Sequence, residues 1–364
     1  MFDKFKIIQI FGERYNVRDL LVHCKEIIND PEVADWEKDI YYFLQELFSS
    51  SKTIIVETSG STGNPKTISI EKEHLIASAI ATLTFFDLAQ NDNIWLCLPV
   101  KYIAGKMMIV RSIVGGLNLL YSKPASNPVI EMDANVDFVS MVPNQVFELL
   151  TSKDGVRQLS KIKTLLIGGS GISQELEDRL LSVSDINAWH SYGMTETITH
   201  IALRKLSPDN NTGKFTLLPG IGVSANPNDQ LIIDAPEIGV FDLVTNDIVS
   251  INADGTFIIL GRADTVVISG GIKLFPEIIE SKIAKHMTDN FFVGAIADEK
   301  LGEKLTLFIE SSANEHKVYD SLKQIFVQEL KEYEIPKKVI CLPRFLRTET
   351  GKIKRKESIG QILT

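Results

Sequence analysis

Thr58 to Thr67 reads TSGSTGNPKT, a stretch built from residue types that hold phosphate. Gly60 and Gly63 let backbone amides approach an anion, and Ser59, Ser61 and Thr62 supply hydroxyl donors. The spacing nearly fits a P-loop, but that loop needs glycine directly before its lysine, and here Pro65 precedes Lys66. Proline fixes φ and has no N–H to turn toward a phosphate, which disfavours an ordinary P-loop NTPase. Taken alone, the stretch fits a phosphate cradle and a polar hairpin turn about equally. Further on, IGGSG at 167–171 follows an apolar run and precedes a helical one, where flexible backbone can lie along a flat base; such turns are also common as plain connections. Arg111 lies in KMMIVRSIVGG among Met107, Met108, Ile109, Val110, Ile113 and Val114. A helix arginine often reaches solvent, but a guanidinium buried in such a run wants a carboxylate.

The elements that must position these residues are legible from periodicity. Val17, Leu20, Leu21, Cys24 and Ile28, then Trp36, Ile40, Phe43, Leu44 and Leu47, recur at helical spacing and predict two packed helices over 17–48. After them, short apolar runs alternate with helical segments: TIIVE, a helix near 71–86, IWLCL, a helix near 104–114, LNLLY, FVSMV, a helix from Asn144, TLLIGG and a helix from Ser173. That alternation predicts α/β architecture, parallel strands covered by helices. From about 215 to 260 the runs FTLL, QLIID, VFDLV, IVSI and TFIIL, separated by Pro, Asn, Asp and Gly, predict a small antiparallel β subdomain. Beyond it come a helix from Pro276, strands FFVGAIA and KLTLFIE, a helix near 316–332 and a basic tail, an α+β set of its own. The boundary expected between a large domain, 1–262, and a small one, 263–364, falls near Arg262.

The chain has 364 residues, 44% of them hydrophobic, with a formal charge of -9, which argues against wholesale binding to nucleic acid or anionic membranes. A polyanionic ligand therefore needs a locally positive pocket. Cys24, Cys97 and Cys341 are widely spaced and odd in number, which suits core thiols in a reducing compartment. The N-terminus shows no signal-like pattern, and the most apolar segment, 106–121, is broken by Arg111 and Gly115-Gly116 and falls short of the ~20 residues a spanning helix needs. The expectation is a cytoplasmic protein without membrane insertion; its oligomeric state stays open, a homodimer included.

TSGSTGNPK resembles the signature loop of the adenylate-forming superfamily of acyl-CoA synthetases, peptide-synthetase adenylation domains and luciferases, which places proline before its lysine. Further motifs follow in family order. The resemblance assigns Thr58, Ser59, Gly60, Ser61, Thr62, Gly63 and Lys66 to the ATP phosphates, and Gly168, Gly169 and Ser170 to the adenine pocket. SYGMTET at 191–197 looks like the motif in which Ser191, Tyr192, Gly193 and Met194 line the nucleotide, the tyrosine stacking on adenine; Thr195 touches the α-phosphate and Glu196 helps hold Mg²⁺. Thr245-Asn-Asp247 stands where the family has T-G-D, with Asp247 accepting both ribose hydroxyls; Asn246 in place of glycine is a departure. GRAD resembles the family's hinge, with Arg262 on ribose or phosphate and Asp264 as pivot, and Gly270-Gly271 resembles the turn lining the coenzyme A tunnel. TETGKIKR at 348–355 looks like the C-terminal motif whose lysine, here Lys352, is catalytic. The resemblance thus implies ATP, Mg²⁺ and coenzyme A, and a first lobe shortened relative to most members, with the helices over 17–48 in its place.

In LPVKYIAG, Tyr102 and Ala104 replace a histidine and a serine usual in acyl and aryl relatives, and Gly105 is retained. Arg111 stands nine residues after Tyr102, an offset at which o-succinylbenzoate–CoA ligases of menaquinone synthesis carry an arginine for the second carboxylate of their aromatic diacid. Tyr102, Gly105 and Arg111 are therefore the candidate acid-binding residues. Two other readings remain: another aryl- or acyl-CoA synthetase, and a nucleotide-binding protein without turnover, given Tyr102, His190 and Asn246 in unusual places. A nucleic-acid partner for the basic stretch 344–356 is the weakest. Lys352→Ala is expected to lower acid-dependent ATP–pyrophosphate exchange by at least ~10²-fold while thioester formation from supplied acyl-adenylate persists; equal loss of both half-reactions would contradict the role.

Overall fold

The structure, a computed structural model, describes residues 1–57, 67–130, 135–183, 186–208, 213–347 and 353–361. It divides into two compact units: Met1–Val223 with Ile233–Leu243 and Asn252–Phe257, and Ser224–Ile232 with Val244–Ile251 and Ile258–Thr364.

In the first unit, β1 (Ile8–Ile10) and β2 (Glu13–Tyr15) lead into α1 (Val17–Asn29) and α2 (Asp35–Leu47). The Asn16 side chain accepts the Asp19 amide at 2.9 Å and so starts α1. The apolar faces of both helices, Leu20 and Cys24, then Ile40, Phe43, Leu44 and Leu47, join one core, as the helical spacing requires. Next, β3 (Thr53–Glu57) pairs antiparallel with β4 (Thr67–Glu71), Glu57 opposite Thr67. This corrects the expectation that TIIVE joins the parallel series: the chain returns along its own strand within a connection too short for a parallel crossover.

The series continues through α3 (Lys72–Phe85), β5 (Asn93–Leu96), α4 (Ile103–Gly115), β6 (Asn118–Tyr121), β7 (Val136–Met141), α5 (Pro143–Leu149), α6 (Lys153–Leu159), β8 (Ile162–Ile167), α7 (Gln174–Val183), β9 (Asn187–Gly193), β10 (His200–Lys205) and β11 (Thr216–Leu217). These build a nine-stranded sheet in the order β11-β10-β9-β8-β7-β5-β6-β1-β2. The six strands from β9 to β1 are parallel, and antiparallel strands close both margins. Alternate residues feed opposite cores, Ile94, Leu96 and Leu166 one and Trp95, Cys97, Leu165 and Ile167 the other. Two further corrections follow. FTLL contributes β11 to this sheet rather than to the small subdomain, and β9, whose end opens the SYGMTET motif, and β10 after it are strands that the apolar pattern did not announce.

The small sheet runs in chain order, β12 (Gly222–Ala225), β13 (Gln230–Ala235), β14 (Val240–Ile251) and β15 (Phe257–Arg262). VFDLV and IVSI, expected as separate runs, are one continuous strand, so Thr245-Asn-Asp247 lies within β14 and not in a turn. The C-terminal part then forms β16 (Val267–Ser269), β17 (Ile272–Leu274), α8 (Pro276–Ile283), β18 (Phe291–Asp298), β19 (Gly302–Glu310), α9 (Glu315–Glu329), β20 (Lys338–Leu342) and α10 (Arg355–Gly360), with a sheet ordered β17-β16-β19-β18 and β20 parallel to β19. Among the described residues no helix is long and apolar enough to cross a membrane.

Lys72, at the start of α3, is a buried ammonium that donates to the Glu46 carbonyl at 2.7 Å, the Ser49 carbonyl at 3.1 Å and Ser49 Oγ at 3.3 Å. It thereby caps the C-terminal end of α2, while its backbone amide bonds Lys52 beside β3 at 2.8 Å. Lys72→Met keeps the stem but strands those oxygens, and is expected to cost about 2–3 kcal/mol in denaturant unfolding, the range for a lost charged hydrogen bond; an unchanged midpoint would show the cap to be dispensable.

Candidate active site

Thr58, Ser59, Gly60, Ser61, Thr62, Gly63, Lys66 and Lys352 lie outside the described residues. The remaining candidates fall on the two units separately.

In the first unit the sheet topology gathers them. The strand order turns at β5, with β6 on one side and β7 on the other, and in such sheets ligands bind beyond the carboxyl ends of the strands. Tyr102 and Gly105 follow β5, Gly168–Ser170 follow β8, and Ser191–Gly193 end β9. Because β8 and β9 are parallel with Ile167 opposite His190, residues 168–170 run beside 190–193. The approach is close: a Cβ on Gly168 would stand 2.3 Å from Ser191 Oγ, which donates to the Ile167 carbonyl at 3.1 Å. Gly169 has φ +85°, a conformation natural to glycine. His190 Nε2 lies 3.3 Å from the Ser170 carbonyl, tying the glycine turn to β9.

Tyr192 is buried and edge-on to Phe257 at 5.4 Å and Phe215 at 5.9 Å. After Gly193 a 3₁₀ turn, Thr195–Thr197, leaves Glu196 exposed and Thr195 half-buried. An exposed carboxylate beside a hydroxyl is an oxygen donor set suited to Mg²⁺ shared with phosphates, since that ion is commonly held by one or two carboxylates plus substrate oxygens. Tyr102 precedes α4 and is half-buried with Lys101 Nζ 5.9 Å from its ring. Gly105 is required by packing: a Cβ there would meet the Pro99 carbonyl oxygen at 2.3 Å.

Arg111 is 2% exposed. Its Nη1 lies 3.6 Å from Met108 Sδ, its guanidinium 6.0 Å from the Phe138 ring centre, and its buried Nε has no hydrogen-bond partner. Burial pulls its pKa down to about 9, and among the described residues no carboxylate pairs with it. Around it sequence reasoning missed a polar set carried by strands and helices of apolar appearance. His200 is buried, with Nε2 3.3 Å from Thr82 Oγ1, and burial together with the Arg111 charge holds its pKa well below the ordinary histidine range. Ser78 Oγ and Thr199 Oγ1 are 2.9 Å apart. Ser78 and Thr82 stand four residues apart on α3, and a polar pair at that spacing reads from sequence as a solvated helix face.

In the second unit, Asp247 is buried and Arg262 Nη1 donates to its Oδ1 at 3.1 Å, while Arg262 Nε donates to Asp264 Oδ1 at 3.1 Å. The Asp247 amide bonds Thr245 Oγ1 at 3.0 Å, and the Ala263 amide bonds the Asn246 carbonyl at 2.7 Å. The structure thus brings the predicted ribose carboxylate, arginine and hinge aspartate into one chain of charges. Gly270 and Gly271, φ +57° and +82°, form the two-residue turn between β16 and β17 that demands positive φ at both positions.

The model of the AMP-binding enzyme family matches residues 45–241, and the chain belongs to that family. Within it, the chain is 24% identical to a 2-succinylbenzoate–CoA ligase of Bacillus cereus over 98% of its own length and 79% of the relative's. It is 31% identical to a Dyadobacter fermentans protein described as acyl-CoA synthetase (AMP-forming)/AMP-acid ligase II-like, covering 93% of this chain and 97% of that one with a TM-score of 0.62. The o-succinylbenzoate coenzyme A synthetase of Bacillus subtilis, solved with ATP and magnesium, shares the fold with a TM-score of 0.70 at 19% identity, covering 84% of this chain and 69% of that one.

Burial and the Arg204 charge push the His190 pKa down to about 4, and burial with the Arg111 charge pushes that of His200 well below the ordinary range. A histidine whose folded pKa lies below its unfolded value near ~6.5 favours folding above that value and loses the contribution as pH falls through the folded one. Urea unfolding is therefore expected to show stability falling between about pH 6.5 and 4, with a shallower decline in His200→Gln; an unchanged slope would assign the loss to other groups.

Proposed function

We propose that this chain joins an aromatic diacid of the o-succinylbenzoate type to coenzyme A, first adenylating it with ATP and releasing pyrophosphate, then releasing AMP. One observation carries the choice of acid: Arg111 is a buried guanidinium whose Nε has no partner and which meets no carboxylate among the described residues, in the unit that holds the adenine-side residues. Such a charge costs several kcal/mol to bury alone, and an anionic ligand group offsets that cost. The names of the Bacillus relatives support the same acid.

The reacting carboxylate is ionised at neutral pH and needs no base; its difficulty is approaching a phosphate that is itself anionic. A carboxylate oxygen bonds the α-phosphorus as the bond to the β-phosphate oxygen breaks. Thr58–Lys66 would hold the β- and γ-phosphates, Thr195 the α-phosphate, and Lys352 would offset the charge that develops. Gly168–Ser170 and Ser191–Met194 would seat the base, and Asp247 and Arg262 the ribose. Mg²⁺, carried by Glu196, supplies further charge neutralisation when bound. In the second step the coenzyme A thiol loses its proton, its sulfur bonds the acyl carbon, and AMP leaves with the oxygen. The boundary at Asp264 would let residues 263–364 turn so that Lys352 withdraws and Gly270-Gly271 line the thiol's path.

Arg111→Gln should raise KM for o-succinylbenzoate by about 10²-fold, the loss of one charged pair, while benzoate, with no second carboxylate, is affected little. If wild-type protein forms AMP from benzoate or medium-chain acids as fast as from o-succinylbenzoate, the diacid assignment is wrong. If no acid supports pyrophosphate exchange, the chain binds nucleotide without turnover.

A further inference from the structure

The connection from β9 to β10 holds a conformation that its sequence does not favour. Ile198 has φ +66° and ψ -61°, and the Thr199 amide bonds the Thr197 carbonyl at 2.7 Å. This is a γ-turn with positive central φ, rare and strained for any L residue and worst for a β-branched one. Such strain persists only where the surroundings over-determine it.

Here they do so on three sides. Ile198 is 2% exposed and belongs to the core shared with α3 and α4. Thr199 Oγ1 is tied to Ser78 Oγ on α3 at 2.9 Å. Thr197, 1% exposed, clasps the turn from within: its Oγ1 accepts the Met194 amide at 3.0 Å and lies 2.8 Å from the Thr199 carbonyl and 3.0 Å from the Met194 carbonyl, one of which takes its proton. The turn folds back on Gly193, where a Cβ would stand 2.2 Å from the Thr199 carbonyl oxygen. Thr195 and Glu196 lie inside this clasp: the Thr197 and Ile198 amides bond the Met194 and Thr195 carbonyls at 3.2 and 3.0 Å, and one hydroxyl joins Met194 before them to Thr199 after them.

We propose that Thr197 is a positioning residue whose hydroxyl locks the strained turn at Ile198 and so fixes Glu196 for a divalent cation held with the nucleotide. The inference rests on the Glu196 assignment above and extends it to a residue that touches no ligand.

The test is calorimetric titration of Mn²⁺ into the full chain with a non-hydrolysable ATP analogue, alongside thermal unfolding and steady-state kinetics. Thr197→Val keeps the shape and removes the hydroxyl. Its Mn²⁺ dissociation constant should rise about tenfold, the effect of losing one buried hydrogen bond, with KM for the acid unchanged, and Thr197→Ser should restore it. Normal Mn²⁺ affinity in a folded Thr197→Val, or failure of Thr197→Ser to restore a weakened one, overturns the role. Should Thr197→Val not fold, Thr197→Cys, which keeps a similar size and replaces the hydroxyl by a thiol that donates and accepts only weakly, is read in the same way. Glu196→Gln separates the two layers: unchanged Mn²⁺ affinity there overturns the Glu196 assignment itself, whereas weakened affinity there with none in Thr197→Val overturns the Thr197 role alone.

Discussion

Parallel pairing of β9, β8, β7, β5, β6 and β1 is the constraint from which the first unit's site follows. Parallel strands must all send their chains out at the same edge, so segments far apart in sequence, after Leu96, after Ile167 and after Gly193, leave along one edge. Direction alone brings them to one edge; close approach makes them neighbours. Gly168 beside Ser191 and Gly105 beside Pro99 are positions where a methyl group would overlap an oxygen. Glycine at 168 leaves room for the Ser191 hydroxyl on the next strand, and glycine at 105 lets the first turn of α4 pack against the Pro99 carbonyl of its own connection.

Electrostatics then sorts the work. A chain of net charge -9 can hold a polyanion only by local concentration of positive or dipolar groups. Arg111 is the extreme case, placed where solvent cannot screen it, and His200 nearby has its pKa held low by its own burial first and by the Arg111 charge second. If His200 were charged as well, two buried cations would repel; as a neutral ring bonded to Thr82 it adds a hydrogen-bonding wall without that cost. Arg262 shows the opposite arrangement. It is partly exposed and shared between Asp247 and Asp264, so its charge is met by carboxylates of its own unit.

Much of this was legible in the sequence, and the parts that were not have physical causes. The helices over 17–48 and those after TIIVE, IWLCL and TLLIGG follow from spacing, because one face of each must be buried. TIIVE itself shows why pattern alone fails: a short apolar run reads the same in a parallel sheet and in a hairpin. The strands β9 and β10 were hidden by His190, Ser191 and His200, polar residues that are partly or wholly buried for the site's sake. Asn246 and Asp247 look like turn residues by propensity, yet they sit in the middle of β14, where pairing with neighbouring strands overrides a preference of at most about 1 kcal/mol.

Ile198 marks the limit of such reading. Nothing in local propensity puts isoleucine at positive φ, and only its contacts explain why it stays there. The residues that touch substrate tend to be visible because chemistry demands their type: a glycine for close approach, a carboxylate for a cation, an arginine for an anion. The residues that hold them in place are selected by geometry instead, and any side chain that completes the geometry will serve. Thr197 belongs to this second kind. Its neighbours in the motif announce a reaction, whereas its own hydroxyl becomes meaningful only once the fold shows which three backbone groups surround it.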